Sequence, residues 1–307
     1  MKERTRGYLD AVIETAGSEG RARALADELS AILELVRSSP DLRYALADPG
    51  NPAASRRAVL TQLLSGRMPA DVVGLVGFTV VSGRAPEFGA DLEELLAAAE
   101  GAAAGLVSSD ALLGRLVAQE RLDGYASAVL AVAAEGGRGP GTIEDELFQF
   151  SRVVDGSPEL AAVLTDRDQP PASRASVVSE LLSARADPVT RLLATYAART
   201  GRARDYPAVL MWLVQRVAAE SGRQVAEVRS AVELDEAMRV RLAEALGAAI
   251  GQPVDVRVTV EPELIGGFVA TVGDNLVDAS IRHRLERMKD LIVLPEMAIS
   301  PASPGDQ

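Results

Sequence analysis

A block of the chain is written twice. Ser39-Pro40-Asp41-Leu42 recurs as Ser157-Pro158-Glu159-Leu160, a displacement of 118 positions (157 − 39), and the displacement holds without a gap to Leu92 and Leu95, which meet Leu210 and Leu213. Between these ends Asp48 meets Asp166, Pro52 meets Pro170, Ser55-Arg56 meets Ser173-Arg174, Leu63-Leu64-Ser65 meets Leu181-Leu182-Ser183, and Gly83-Arg84-Ala85 meets Gly201-Arg202-Ala203. Loop residues keep register as well as core ones, so the resemblance is not just that of any two alanine-rich amphipathic helices. Whatever the first copy folds into, the second must fold into as well.

Both copies read as helices. Leu25, Leu29, Ile32, Leu33 and Val36 recur at three-and-four spacing, Ser39-Pro40 stops them, and Asp48-Pro49-Gly50-Asn51-Pro52 is loop text. Val59, Leu60, Leu63 and Leu64 form another stripe, Val72 to Val81 is apolar enough for a buried helix, and Leu92, Leu95, Leu96 and Ala99 form a last one. The expectation is two tandem bundles of about six helices each, residues 1–104 and 105–223, with Gly101 to Gly105 as a short flexible join.

The text changes period after Arg223. Val225 to Val232 reads as a strand and Asp235 as a helix cap, Met238, Leu242, Ala245 and Ala249 share a helix face that Gly251 ends, and Val254, Val256, Val258 and Val260 alternate with polar partners. Two strands joined by a helix should be parallel. Phe268 to Val272 and Leu276 to Asp278, with Gly273, Asp274 and Asn275 between them, read as a hairpin, after which Ser280 caps an arginine-studded helix from Ile281. The fold class is therefore mainly α, two tandem six-helix bundles followed by a small α/β domain at 224–293, with a Pro- and Ser-rich tail, 294–307, expected to be disordered.

Composition removes several functions. A net charge of −12 over 307 residues opposes nucleic acid, and the absence of cysteine removes disulfides, thiolate metal sites and cysteine nucleophiles. No stretch approaches the roughly 20 apolar residues of a membrane span, and the charged start does not read as a signal peptide. A serine triad would need a histidine, and His283, alone of its type, sits among arginines. Gly266-Gly267 and Gly273 lack the phosphate-loop pattern and precede strand text, so they read as a bulge and a turn. No catalytic pair, metal or cofactor is expected. Partner-binding surfaces remain, either on a helical-repeat adaptor or in the assembly described next; a hydrolase or transferase would need activity that depends on a particular carboxylate.

The run from Pro262 to Leu294, with Gly266, Gly267, Phe268, Gly273, Asp274, Asp278 and Ser280, resembles the C-terminal signature of the delta subunit of bacterial F-type ATP synthases, the counterpart of the mitochondrial oligomycin-sensitivity-conferring protein. Tyr125-Ala126-Ser127-Ala128-Val129 is similar to the family's opening pattern, and Thr200-Gly201-Arg202 to its Asn-Gly-Arg turn, with Thr in place of Asn. A single bundle is typical of the family, and the extra one resembles the enlarged delta subunits of actinobacteria. The resemblance implies a non-catalytic stator connector, one per complex, on the cytoplasmic face of the plasma membrane. It would hold N-terminal helices of alpha subunits through Tyr125, Ala128, Val129, Val132, Leu192, Thr195, Tyr196 and Arg199. It would hold the end of the b subunit, supplied by another chain, through Arg282, Arg284, Leu285, Arg287, Met288 and Leu291.

Overall fold

The computed structural model describes residues 2–15, 20–106, 114–220, 222, 224–250, 253–264, 266–272 and 275–280. The chain divides into two compact units, Met1–Ser221 and Gly222–Gln307.

In the first unit the first copy contributes α1 (Glu3–Thr15), α2 (Arg21–Ser38), α3 (Pro40–Ala47), α4 (Ala53–Leu64), α5 (Ala70–Ser82) and α6 (Phe88–Ala103). The second contributes α7 (Arg115–Glu135), α8 (Pro140–Gly156), α9 (Pro158–Thr165), α10 (Pro171–Leu182), α11 (Pro188–Thr200) and α12 (Tyr206–Glu220). A 3-10 turn introduces the last helix of each copy, at Ala85–Glu87 and Ala203–Asp205.

The repeated residues build repeated joints. Ser39 caps α3 by accepting from the Leu42 N–H at 3.3 Å, and Ser157 caps α9 by accepting from the Leu160 N–H at 3.3 Å, each with proline at the first helical position. Asp48 accepts from the Gly50 N–H at 2.8 Å and Asp166 from the Asp168 N–H at 2.9 Å, the same aspartate turn twice. Arg56 and Arg174 are both buried and donate to carbonyls of loops and helix ends: Arg56 to Asn51 at 3.2 Å and Leu46 at 3.4 Å, Arg174 to Gln169 at 2.9 Å and to Ala198 and Gly201 at 3.3 Å. Leu25, Leu29 and Ile32 of α2 are buried in the same core as Leu92 and Leu95 of α6, and Leu147 and Val154 of α8 pair likewise with Leu210 and Leu213 of α12.

The flexible join expected at Gly101 to Gly105 is instead the end of a helix. Alpha propensity carries α6 to Ala103, and Gly105, at φ +73, lets the Leu106 N–H return to the Gly101 carbonyl at 2.9 Å and closes the helix.

The second unit holds β1 (Gln224–Ser230), α13 (Glu236–Ile250), β2 (Val254–Val260), β3 (Phe268–Val272) and β4 (Asn275–Asp278) in the order β2-β1-β3-β4. β1 and β2 are parallel, while β1–β3 and β3–β4 are antiparallel. Ala226, Val228, Val254, Ala270 and Val272 pack beneath Leu246 of α13, with Leu242 and Phe268 at the margin. The helix face differs from the expected one. Met238 is 52% exposed, because Leu242 and Leu246, one turn apart, are the side chains that reach the sheet. Asp235 caps α13 as expected, accepting from the Met238 N–H at 2.7 Å.

Candidate functional site

α1 of the first copy lies against α7 of the second. Two glycines permit it. A Cβ at Gly7 would collide with the backbone carbonyl of Arg121, and a Cβ at Gly124 with that of Arg4. Gly7-Tyr8 and Gly124-Tyr125 are 117 apart (124 − 7), and so are Arg4 and Arg121, so each helix sets its glycine on the same carbonyl of the other. The crossing is locally two-fold. Interior glycine costs a helix roughly 0.5–1 kcal/mol relative to alanine, so a repeated mid-helix glycine beside a tyrosine was the sequence signal that this contact leaves.

The surroundings of the crossing are polar and mostly paired, Thr195 Oγ1 being buried without a hydrogen-bond partner. Arg121 Nε donates to Glu3 at 2.7 Å, and Asp123 accepts from both Arg4 and Arg216, the latter at 2.7 Å. Tyr125 stacks on Tyr196 with ring centroids 3.7 Å apart, the Tyr125 hydroxyl donates to Glu14 at 2.6 Å, and the Tyr196 hydroxyl donates to Asp10 at 2.6 Å. Arg199 pairs with Glu14 at 2.7 Å and lies 5.1 Å from the Tyr196 ring centre. Burial pushes both phenols well above their ordinary range, and the carboxylates facing them add to the effect. Burial also raises Asp10, against the Tyr196 hydrogen bond and the charges of Arg6, Arg121 and Arg199. The first copy repeats the ring pair without the hydroxyl network, Tyr8 lying 4.8 Å from Phe78.

The residues that the resemblance assigns to alpha-subunit binding are thus mostly inside. Tyr125, Ala128, Val129 and Tyr196 are buried, Leu192, Thr195 and Arg199 half-buried, and Val132 is 43% exposed. Asp10 and Glu14, which reach across to this face, carried no sequence pattern that marked them.

A separate apolar groove of about 70 Å³ lies on the second copy. Ala118 and Leu122 of α7, Ala197 of α11, and Val209 and Trp212 of α12 form its floor and walls. The Thr200-Gly201-Arg202 turn closes one end, and Arg115, Arg202 and Asp205 bring charge to it. Periodicity placed Leu210 and Leu213 in the core but did not single out Trp212, which is half-buried with one side toward the groove. The positions of the first copy that correspond to Leu122, Ala197, Val209 and Trp212 are Thr5, Thr79, Asp91 and Glu94. The groove is apolar in one copy only.

In the second unit Gly266 and Gly267 have φ of 153° and +80°, and a side chain at Gly267 would meet the Ala279 carbonyl as well as the Ser280 Cα at 3.0 Å. Close backbone approach explains the glycine, and the Ala279 N–H donates to the Phe268 carbonyl at 2.9 Å beside it. Asp278 accepts from the Ser280 N–H at 2.9 Å, and Ser280 is buried. Gly273 and Asp274 lie outside the described residues, as do the helix expected from Ile281, His283, the b-binding candidates Arg282, Arg284, Leu285, Arg287, Met288 and Leu291, and the 294–307 tail. Among the described residues, no helix is long and apolar enough to cross a membrane and no group of three or more His, Asp or Glu side chains could hold a metal ion.

The model of the ATP synthase delta (OSCP) subunit family matches residues 5–114 and again 123–292, across both copies and into the second unit. The chain belongs to that family. The ATP synthase subunit delta of Salinispora arenicola is 37% identical over 286 residues, covering 92% of this chain and 93% of that one. Those of Kineococcus radiotolerans and Streptomyces coelicolor are 35% and 31% identical, each over 92% of this chain and 91% and 92% of theirs. Matches this long on both sides mean that the relatives share the enlarged form. A chain of the Toxoplasma gondii mitochondrial ATP synthase hexamer aligns at TM-score 0.38 and 16% identity over 57% of this chain and 98% of that one, a likeness too slight to bear on fold or function.

Proposed function

We propose that the chain is the peripheral-stalk connector of an F-type ATP synthase, joining N-terminal helices of the alpha subunits to the end of the b subunit so that the catalytic head is held while the rotor turns. It acts at the cytoplasmic face of the membrane without crossing it, and it catalyses nothing itself. The observation that carries this reading is the open apolar groove between α7, α11 and α12, closed by the family-like Thr200-Gly201-Arg202 turn, in a chain that matches the family over both copies. Ala118, Leu122, Val209 and Trp212 offer an apolar seat, and Arg115 and Arg202 flank it with positive charge. An amphipathic helix with acidic residues beside its apolar stripe fits such a seat. The b subunit is assigned to the region after Asp278, where Arg282, Arg284 and Arg287 alternate with Leu285, Met288 and Leu291.

Trp212 is the sole tryptophan of the chain and reports on its own groove. Titrating the full chain with a peptide of the alpha subunit's N-terminal segment from the same organism is expected to shift Trp212 emission with saturation. Binding without any change at Trp212, or no binding, overturns the alpha-subunit assignment. A chain ending at Asp278 is expected to keep this response and lose the b subunit; retained b binding overturns that half.

A further inference from the structure

We infer that α1 is a permanent, built-in occupant of the α7–α11 face, which makes this face an internal joint between the two copies. Three observations carry the inference. The glycine seats are reciprocal, Gly7 on the Arg121 carbonyl and Gly124 on the Arg4 carbonyl, so the backbones meet at a distance that one register of these two helices allows. Apolar side chains of both helices are buried, Tyr8, Leu9, Ala11 and Val12 of α1 and Tyr125, Ala128 and Val129 of α7, with Tyr8 beside Phe78 of its own copy and Tyr125 stacked on Tyr196. Polar groups at the rim are bonded across the contact, Glu3 with Arg121, Asp10 with Tyr196, and Glu14 with both Tyr125 and Arg199.

Removing α1 would leave the Tyr196 and Tyr125 hydroxyls and Arg199 without their acceptors, an unfavourable exchange for any helix lacking the glycine seat. The consequence is mechanical. The two copies move as one body, and the first copy extends the second as a stiff arm. A partner helix reaches the second copy at the Trp212 groove and not at Tyr125.

The chain has no cysteine, so a disulfide introduced by Glu3→Cys with Arg121→Cys is the only one that can form. Two measurements on the full chain decide the matter. In native-state hydrogen exchange, the Leu9–Val12 amides of α1 are expected to be protected to within tenfold of those of Leu213–Val217 in α12; exchange a hundredfold faster in α1 overturns the joint. In the second, the peptide of the alpha subunit's N-terminal segment is titrated into the oxidised and reduced double variant. This part rests on the reading above: affinities within twofold of each other support the joint, and a loss of tenfold or more on locking means that the peptide displaces α1 and overturns it. Absence of binding in both forms would count against the alpha-subunit assignment alone, and the exchange result would still decide whether α1 is fixed.

Discussion

The two copies share a scaffold and differ in what it carries. Caps, aspartate turns, buried arginines and the α2–α6 and α8–α12 pairs recur from one to the other, down to equal cap distances at Ser39 and Ser157. The differences cluster on the α1–α5 and α7–α11 faces and on the last helix. Phe78 corresponds to Tyr196, Gly74 to Leu192, Val81 to Arg199, Asp91 to Val209 and Glu94 to Trp212. In the second copy these substitutions bond the joint through the Tyr196 phenol and Arg199, and they replace two acidic side chains of the last helix with the wall of an apolar groove. Duplication supplied the architecture twice, and a handful of side chains divided the labour.

The comparison can be broken most sharply where the copies are alike. Gly124→Val places a side chain on the Arg4 carbonyl and is expected to cost about 3 kcal/mol, lowering the thermal midpoint by about 6–12 °C. Gly7→Val should cost the same within error, because its clash is the mirror of the first; a thermal midpoint lowered by only one of the two would contradict the local two-fold.

The buried arginines are alike in place but not in bonding. Arg174→Ala leaves three carbonyls without this donor and is expected to cost about 2 kcal/mol, whereas Arg56→Ala, with two longer bonds, should cost about half as much. Urea midpoints of the two variants test the ranking.

Trp212→Glu writes the first copy's residue into the second. Affinity for the alpha-subunit peptide is expected to fall at least tenfold, about 1.4 kcal/mol, by calorimetry, with the melting temperature unchanged. A peptide that binds the variant as tightly would place its site elsewhere.

Smaller effects concern the hydroxyl network. Tyr196→Phe, again the first copy's choice in ring type, removes the donor to Asp10 and is expected to cost about 1 kcal/mol in urea unfolding. Asp10 adds a pH signature. Its folded value lies above the ordinary 3.8, so the folded chain holds the proton more tightly than the unfolded one. Its contribution to stability is therefore full below about 3.8 and is lost as pH rises through the folded value. Asp10→Asn should flatten the melting temperature against pH in the window just above 3.8; an unchanged slope would remove Asp10 as its source.

Much of the fold was legible because it is written in local chemistry. Ser39-Pro40 and Ser157-Pro158 announce caps, the valines of β2 announce alternation, and the parallel pairing of β1 with β2 follows from the helix between them. Gly101 to Gly105 was misread because two glycines outweighed three alanines, while the structure uses only Gly105 as a stop. Met238 was placed inward by a spacing that fits either neighbouring stripe of a short helix, and Leu246 decided which stripe met the sheet. At the candidate site Tyr125, Ala128, Val129 and Tyr196 were singled out, but as a groove for another chain's helix, whereas all four are buried.

By itself the sequence determined that there are two copies, that each is a bundle of helices with given caps and turns, and that a small α/β unit follows. These depend on residues within a turn or two of each other and on a repeat visible as text. Only the tertiary structure decided that the copies meet face to face through Gly7 and Gly124, and that the groove at Trp212 stays open in the second copy. The reason is distance along the chain: Glu14 meets Tyr125 and Asp10 meets Tyr196 across 111 and 186 positions, and the repeated Gly-Tyr pair, though it marks a close approach, does not name the helix that approaches.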